Sequence, residues 1–99
     1  MERIVYICSK LEYTERLAGL AEEATELAQA ALKLRRVLDG KNPTPVTEEE
    51  ALSKLIEEIG DVLLCLDVLG FPVEARGYRE GMNAKLKRWV SRLKENEEG

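Results

Sequence analysis

A chain of 99 residues has room for one domain with one core, and on its own it buries only a modest share of its surface. Its apolar residues are mainly Leu, Ala, Val and Ile, aromatics are scarce, and Glu, Lys and Arg are plentiful, which points to an all-α fold without strands. Acidic residues outnumber basic ones 19 to 15, which disfavours a broad nucleic-acid-binding surface, and no continuous apolar segment reads as a signal peptide or membrane span, so a cytoplasmic protein is expected.

Residues 2 to 10 carry Ile4, Val5, Ile7 and Cys8, with Leu11 following, at a spacing that suits a short helix packed on the rest of the domain. From about Glu12 to Asp39, Leu17, Leu20, Ala24, Leu27, Ala31, Leu34 and Leu38 recur in alternating steps of three and four. That period predicts one long helix with a single buried stripe, stopped by Gly40. The segment Gly40-Lys41-Asn42-Pro43-Thr44-Pro45 cannot continue it, because its prolines lack amide protons and restrict the residue before each.

Thr47 and Glu50 have the spacing of a capping box that opens a third helix, with Leu52, Leu55, Ile59, Val62, Leu66 and Leu69 as its stripe and Gly70-Phe71-Pro72 as its end. From about Val73 to Glu95 the chain is strongly charged. Val73, Tyr78, Met82, Leu86, Trp89, Val90 and Leu93 give it a helical period interrupted by Gly77 and Gly81, and the tail after Lys94 is expected to fray. Cys8 and Cys65 lie in apolar stretches with no partner at metal-ligand spacing, and they read as buried thiols of a reducing compartment.

The two long helices repeat one pattern. Residues 17 to 28, LAGLAEEATELA, align without a gap on residues 52 to 63, LSKLIEEIGDVL, matching Glu22-Glu23 with Glu57-Glu58 and Glu26 with Asp61. On a wheel of about 100° per residue, Glu23 and Glu26 lie roughly 60° apart beside the apolar stripe, and Glu58 and Asp61 take the equivalent places. In a hairpin folded at the proline segment, Glu26 and Asp61 would each lie roughly 20 Å from the loop end, so the acids can meet. Clustered carboxylates repel unless a cation neutralises them, and an all-acid set without His or Cys suits Mg²⁺, with Mn²⁺ as a substitute. A single ExxE is ordinarily a solvated helix face; the repetition at matched heights is what favours a metal site. A di-iron bundle is set aside, because that site usually needs Glu-x-x-His and the chain has no histidine.

The pairing of Glu23-Ala-Thr-Glu26-Leu with Glu58-Ile-Gly-Asp61-Val resembles the MazG-type all-α nucleotide pyrophosphohydrolases, whose signature is ExxE on one helix and ExxD on the next. The resemblance covers most of residues 12 to 92 and extends to Asn83-Ala-Lys85-Leu-Lys87-Arg88 on the last helix. It implies that Glu23, Glu26, Glu58 and Asp61 bind Mg²⁺ and that Lys85 and Arg88, with Asn83, contact the triphosphate of a nucleoside triphosphate. The implied reaction is attack of a metal-activated water on the α-phosphorus, giving a monophosphate and pyrophosphate, with Glu22 and Glu57 as candidate bases. It also implies a homodimer or a tetramer with four-helix-bundle-like packing. The wheel adds a reason for association, since Gly19, Ala30 and Val37 share the acid-bearing side of the second helix with Glu26 and would let another helix approach.

Lys33, Arg35 and Arg36 could reach phosphate in a neighbouring subunit, but they also suit the electrostatics of a helix C-terminus, and that is the preferred reading. Lys85 and Arg88, three apart, fit phosphate as well as they fit a surface salt bridge. Base choice, including restriction to dCTP or dUTP, would rest on Tyr6, Tyr13, Phe71, Tyr78 or Trp89. A rival of a different class is a non-enzymatic helical interaction module that uses the stripes for partner helices and the acids for solubility.

Overall fold

The computed structural model describes residues 2–40, 45–70 and 76–98, which fold into four helices and no strand. They are α1 (Glu2–Lys10), α2 (Tyr13–Asp39), α3 (Glu48–Leu69) and α4 (Arg76–Glu98). The all-α class follows from the composition, and the helix ends follow from local chemistry. Gly40 and Gly70 close α2 and α3 in the left-handed region, at φ 70° and 80°, where a side chain would be strained. Their amides donate back to Val37 O and Asp67 O at 3.2 and 3.0 Å. At the start of α3, the Glu50 amide donates to Thr47 Oγ1 at 3.1 Å, and the Thr47 hydroxyl donates to Glu50 Oε1 at 3.2 Å. The capping box is therefore closed side chain to side chain. Lys41 to Thr44 and Phe71 to Ala75, including Pro43, Pro72 and Val73, lie outside the described residues.

The hairpin of α2 and α3 is the body of the molecule, and α1 lies against α3. One hydrogen-bond group ties the three together at the far end of α3. The Cys8 thiol donates to Val68 O at 3.0 Å, and Arg16 Nη1 donates to Val68 O at 3.0 Å and Leu69 O at 3.3 Å. Those carbonyls belong to the last turn of α3, where a helix runs out of intrahelical amides, and Arg16 donates to two of them from another helix.

The α2 stripe does not form one buried seam. Leu17, Ala24, Ala31 and Leu38 are exposed, Leu20, Leu27 and Leu34 are half-buried, and on α3 Leu52 and Ile59 are exposed. The fully buried residues among those described are Ala30, Ala51, Glu58 and Leu69. On α2 the buried position is Ala30 and the half-buried ones are Arg16, Gly19, Leu20, Glu23, Leu27, Lys33, Leu34 and Val37, so the covered face takes in both the leucine side and the acid-bearing side. Of the small residues expected to admit a neighbouring helix, Ala30 is buried and borders a cleft with Lys54 and Glu58 of α3, while a side chain at Gly19 would meet nothing within 4 Å.

α4 is continuous from Arg76 to Glu98. Gly77 and Gly81 do not interrupt it, and it runs on past Lys94. Its apolar residues are open to solvent, among them Met82, Leu86, Trp89, Val90 and Leu93. No helix among the described residues is long and apolar enough to cross a membrane. The two cysteines are free thiols, each half-buried rather than fully buried.

Candidate metal centre

The antiparallel register of the hairpin decides which acids meet. Arg16 stands beside Val68, Glu23 is close enough to Asp61 to feel its charge, Glu26 meets Glu58, and Ala30 shares a cleft with Lys54 and Glu58. Glu26 is therefore level with Glu58 and not with Asp61, as equal distances from the loop would have it. α2 runs about one turn past the start of α3, and that offset moves each facing pair by three residues.

Glu23, Glu26 and Glu58 each offer a carboxylate oxygen, and the three oxygens lie within 4.8 Å of one another. Asp61, half-buried one turn further along α3, is not in this group but acts on it through its charge. Glu58 is only 2 % exposed. Its Oε1 accepts from Lys54 Nζ at 3.0 Å, and the same ammonium binds Glu57 Oε2 at 3.2 Å. Glu58 Oε2 and Glu23 Oε2 are covered and have no hydrogen-bond partner. An orphaned carboxylate oxygen is costly inside a protein, and two of them in one cluster call for a cation or donor to face them.

The electrostatics agree. Burial pushes the Glu23 carboxyl above the usual carboxylate range, and the neighbouring carboxylates of Glu26, Asp61 and Glu58 push it the same way. Cys65 is pushed up by burial and then by the charges of Glu23 and Asp61, which keeps its thiol protonated and unreactive. One ammonium against three carboxylates leaves the cluster under-neutralised, whereas Lys54 is itself held firmly in its charged form by hydrogen bonds to Glu58 and Glu57. The donor set fits a hard divalent cation, which prefers carboxylate oxygens. In an octahedral Mg²⁺ shell ligand oxygens stand about 3 to 4 Å apart, so small side-chain adjustments separate the cluster from that geometry.

No protein-family model, curated protein or solved structure matches this chain.

The remaining candidates lie outside the cluster. Glu22 and Glu57 are exposed, and Glu57 is bound to Lys54. Asn83, Lys85 and Arg88 are exposed on α4, where Lys85 borders a shallow depression with Trp89, Arg92, Leu93 and Asn96. Of the aromatics, the Tyr6 ring lies 5.6 Å from Lys10 Nζ and the Tyr13 ring 5.5 Å from Arg16 Cζ. Tyr78 is half-buried, Trp89 is exposed, and Phe71 lies outside the described residues. Lys54 joins the acids although the carboxylate repeat does not include it. Its signal was present, since it stands four residues before Glu58, the spacing of a helical ion pair. Lys33, read as part of a helix-end charge pattern, lines the cleft beside Glu26 and Glu58, while Arg35 pairs with Asp39 at 3.8 Å on the surface.

Proposed function

We propose that this chain is a Mg²⁺-dependent nucleoside triphosphate pyrophosphohydrolase of the MazG-like kind, converting a nucleoside or deoxynucleoside triphosphate to the monophosphate and pyrophosphate. The observation that carries the proposal is the convergence of Glu23, Glu26 and Glu58 within 4.8 Å from two helices, with buried, unpartnered oxygens on two of them. Glu23, Glu26 and Glu58 would hold the cation, with Asp61 adjoining, and Mn²⁺ could replace Mg²⁺. When bound, the cation lowers the pKa of the attacking water and neutralises charge on the phosphate oxygens.

The chain's own part is to orient and to take a proton. Burial fixes Glu58, and Lys54 and the helix hold it in one place, so its oxygens are set before a ligand arrives. A carboxylate not engaged by the cation accepts the proton of the attacking water, and Glu22 and Glu57 are the candidates beside the ligand positions. Asn83, Lys85 and Arg88 would contact the triphosphate when α4 docks in a homodimer or tetramer.

The test is pyrophosphate release from a panel of canonical and modified nucleoside triphosphates, including dCTP and dUTP, with and without Mg²⁺. Native protein yields monophosphate only with the cation, and Glu58→Gln lowers the rate by more than about a hundredfold while remaining helical. A second reading, the helical interaction module, is favoured by the exposed apolar residues of α4. It predicts that neither the cation nor any nucleotide changes the folded chain, and absence of release across the panel would select it.

A further inference from the structure

We propose that Lys33 and Lys54 are the residues of the α2–α3 hairpin that bind phosphate, beside the contacts assigned to Asn83, Lys85 and Arg88 when α4 docks. The cleft beside the acid cluster takes the divalent-cation complex of a di- or triphosphate chain, and Lys54 passes from Glu58 to phosphate when the cation takes over Glu58. This rests on the reading of Glu23, Glu26 and Glu58 as a cation site.

The cleft has a volume of about 360 Å³ and is lined by Glu26, Gln29, Ala30, Lys33, Lys54 and Glu58. Two of the clustered acids therefore form one end of it, including Glu58, which is 2 % exposed and has an unpartnered Oε2. The two lysines stand on the same side of those acids. Lys33 lies two helical turns from Glu26, roughly 10 Å toward the loop end of α2, and Lys54 lies one turn, roughly 6 Å, from Glu58 toward the loop end of α3. Buried Ala30 keeps the floor between them low, and Gln29 adds an amide donor at the edge.

A phosphate chain that shares a cation with Glu26 and Glu58 would run from the acids into this space. Its remaining oxygens then need positive charge, and ammonium groups on flexible stems supply it as point charges. Lys33 makes no ion pair among the described residues. Lys54 is largely exposed and bound to two acids, one of which the cation would claim. A bound cation would repel the ammonium from Glu58, and phosphate offers it the nearest anionic replacement. The depression beside Lys85 on α4 has no carboxylate in its lining, so it lacks the acid partner that a cation-bound phosphate requires.

The experiment uses Mn²⁺ alone, followed by electron paramagnetic resonance, and then preformed Mn²⁺ complexes of inorganic triphosphate and of a non-hydrolysable α,β-imido nucleoside triphosphate. It is run on the native chain, Lys33→Ala, Lys54→Ala, the double variant and Lys10→Ala, with helix content checked by circular dichroism. Lys54→Ala should bind Mn²⁺ at least as tightly as native, because a competing cation is gone. Affinity for both phosphate complexes should fall about tenfold in each single variant and about a hundredfold in the pair, with Lys10→Ala unchanged. Inorganic triphosphate should displace the nucleotide analogue, identifying the phosphate chain as the recognised element. Unaltered triphosphate affinity in the double variant, or a nucleotide that inorganic triphosphate cannot displace, would overturn the assignment while leaving the cation site intact. Failure of the folded native chain to bind Mn²⁺ would instead overturn the cation site and the assignment with it.

Discussion

Glu58 is the residue on which the proposed chemistry turns, because it is the one charged side chain among those described that is fully buried, and only one of its oxygens is satisfied. Glu23, across the hairpin, bears the electrostatic cost. Its pKa is raised in the fold, so the stability linked to its protonated form is complete below the ordinary value of about 4.5 and is lost as pH rises through the raised value. The metal-free chain should therefore lose stability relative to Glu23→Gln as pH climbs through that window, and the difference should stay constant at neutral pH and above. Thermal melts of the two proteins from pH 4 to pH 8 check this. Native protein at pH 7 should also gain thermal stability on adding Mg²⁺, and Glu23→Gln should gain less. A difference between the proteins that grows on acidification would contradict the sign.

Two predictions belong to whole helices. Arg16 satisfies the last carbonyls of α3 from α2 and at the same time contacts Cys8 Sγ at 3.8 Å, which joins three helices at one side chain. Arg16→Ala should cost about 2 kcal/mol and lower Tm by roughly 10 °C, with Arg16→Lys recovering only part because it lacks the fork geometry. Urea unfolding monitored by circular dichroism measures the free energy, and a thermal melt measures the Tm. On α4, a side chain at Gly81 would meet nothing within 4 Å, so Gly81→Ala removes backbone freedom without a clash. That substitution should stabilise the helix by about 1 kcal/mol and slow amide hydrogen exchange along α4 about fivefold. Exchange that stays unchanged would mean that α4 gains its order from contacts and not from its own propensity.

At the scale of the molecule, the chain is open. Its radius of gyration is 17.6 Å, against roughly 13 Å for a compact domain of this length. Leu69 is the only large apolar side chain that is fully buried among the described residues, while Met82, Leu86, Trp89, Val90 and Leu93 recur along one side of α4 in the open. A core this small leaves most of the available apolar burial unused, and association is the ordinary remedy. Sedimentation should show a concentration-dependent dimer or tetramer, and Leu86→Lys combined with Leu93→Lys should shift it toward monomer. A native chain that is monomeric at all concentrations would remove the assembly from the proposal.

Much of this was legible in the residues themselves. Helix spans followed from period, from Gly40 and Gly70 and from the Thr47–Glu50 cap, all of which act within a few residues of their own position. The carboxylate repeat was equally visible, because ExxE and ExxD spacings place acids on one helix face whatever the helix packs against. The sequence by itself thus determined the elements and the identity of the acids. Only the tertiary structure decided the register, since a one-turn overlap of α2 past α3 is set by packing and by the connection, and it places Glu26 with Glu58 and leaves Asp61 beside Glu23. It also decided that Ala30 is buried beside Lys54 and Glu58 of α3, because the antiparallel register brings these positions to one level. Lys33 and Lys54 share a cleft for the same reason: they are distant in sequence, and only the antiparallel alignment brings them to one side of the acids.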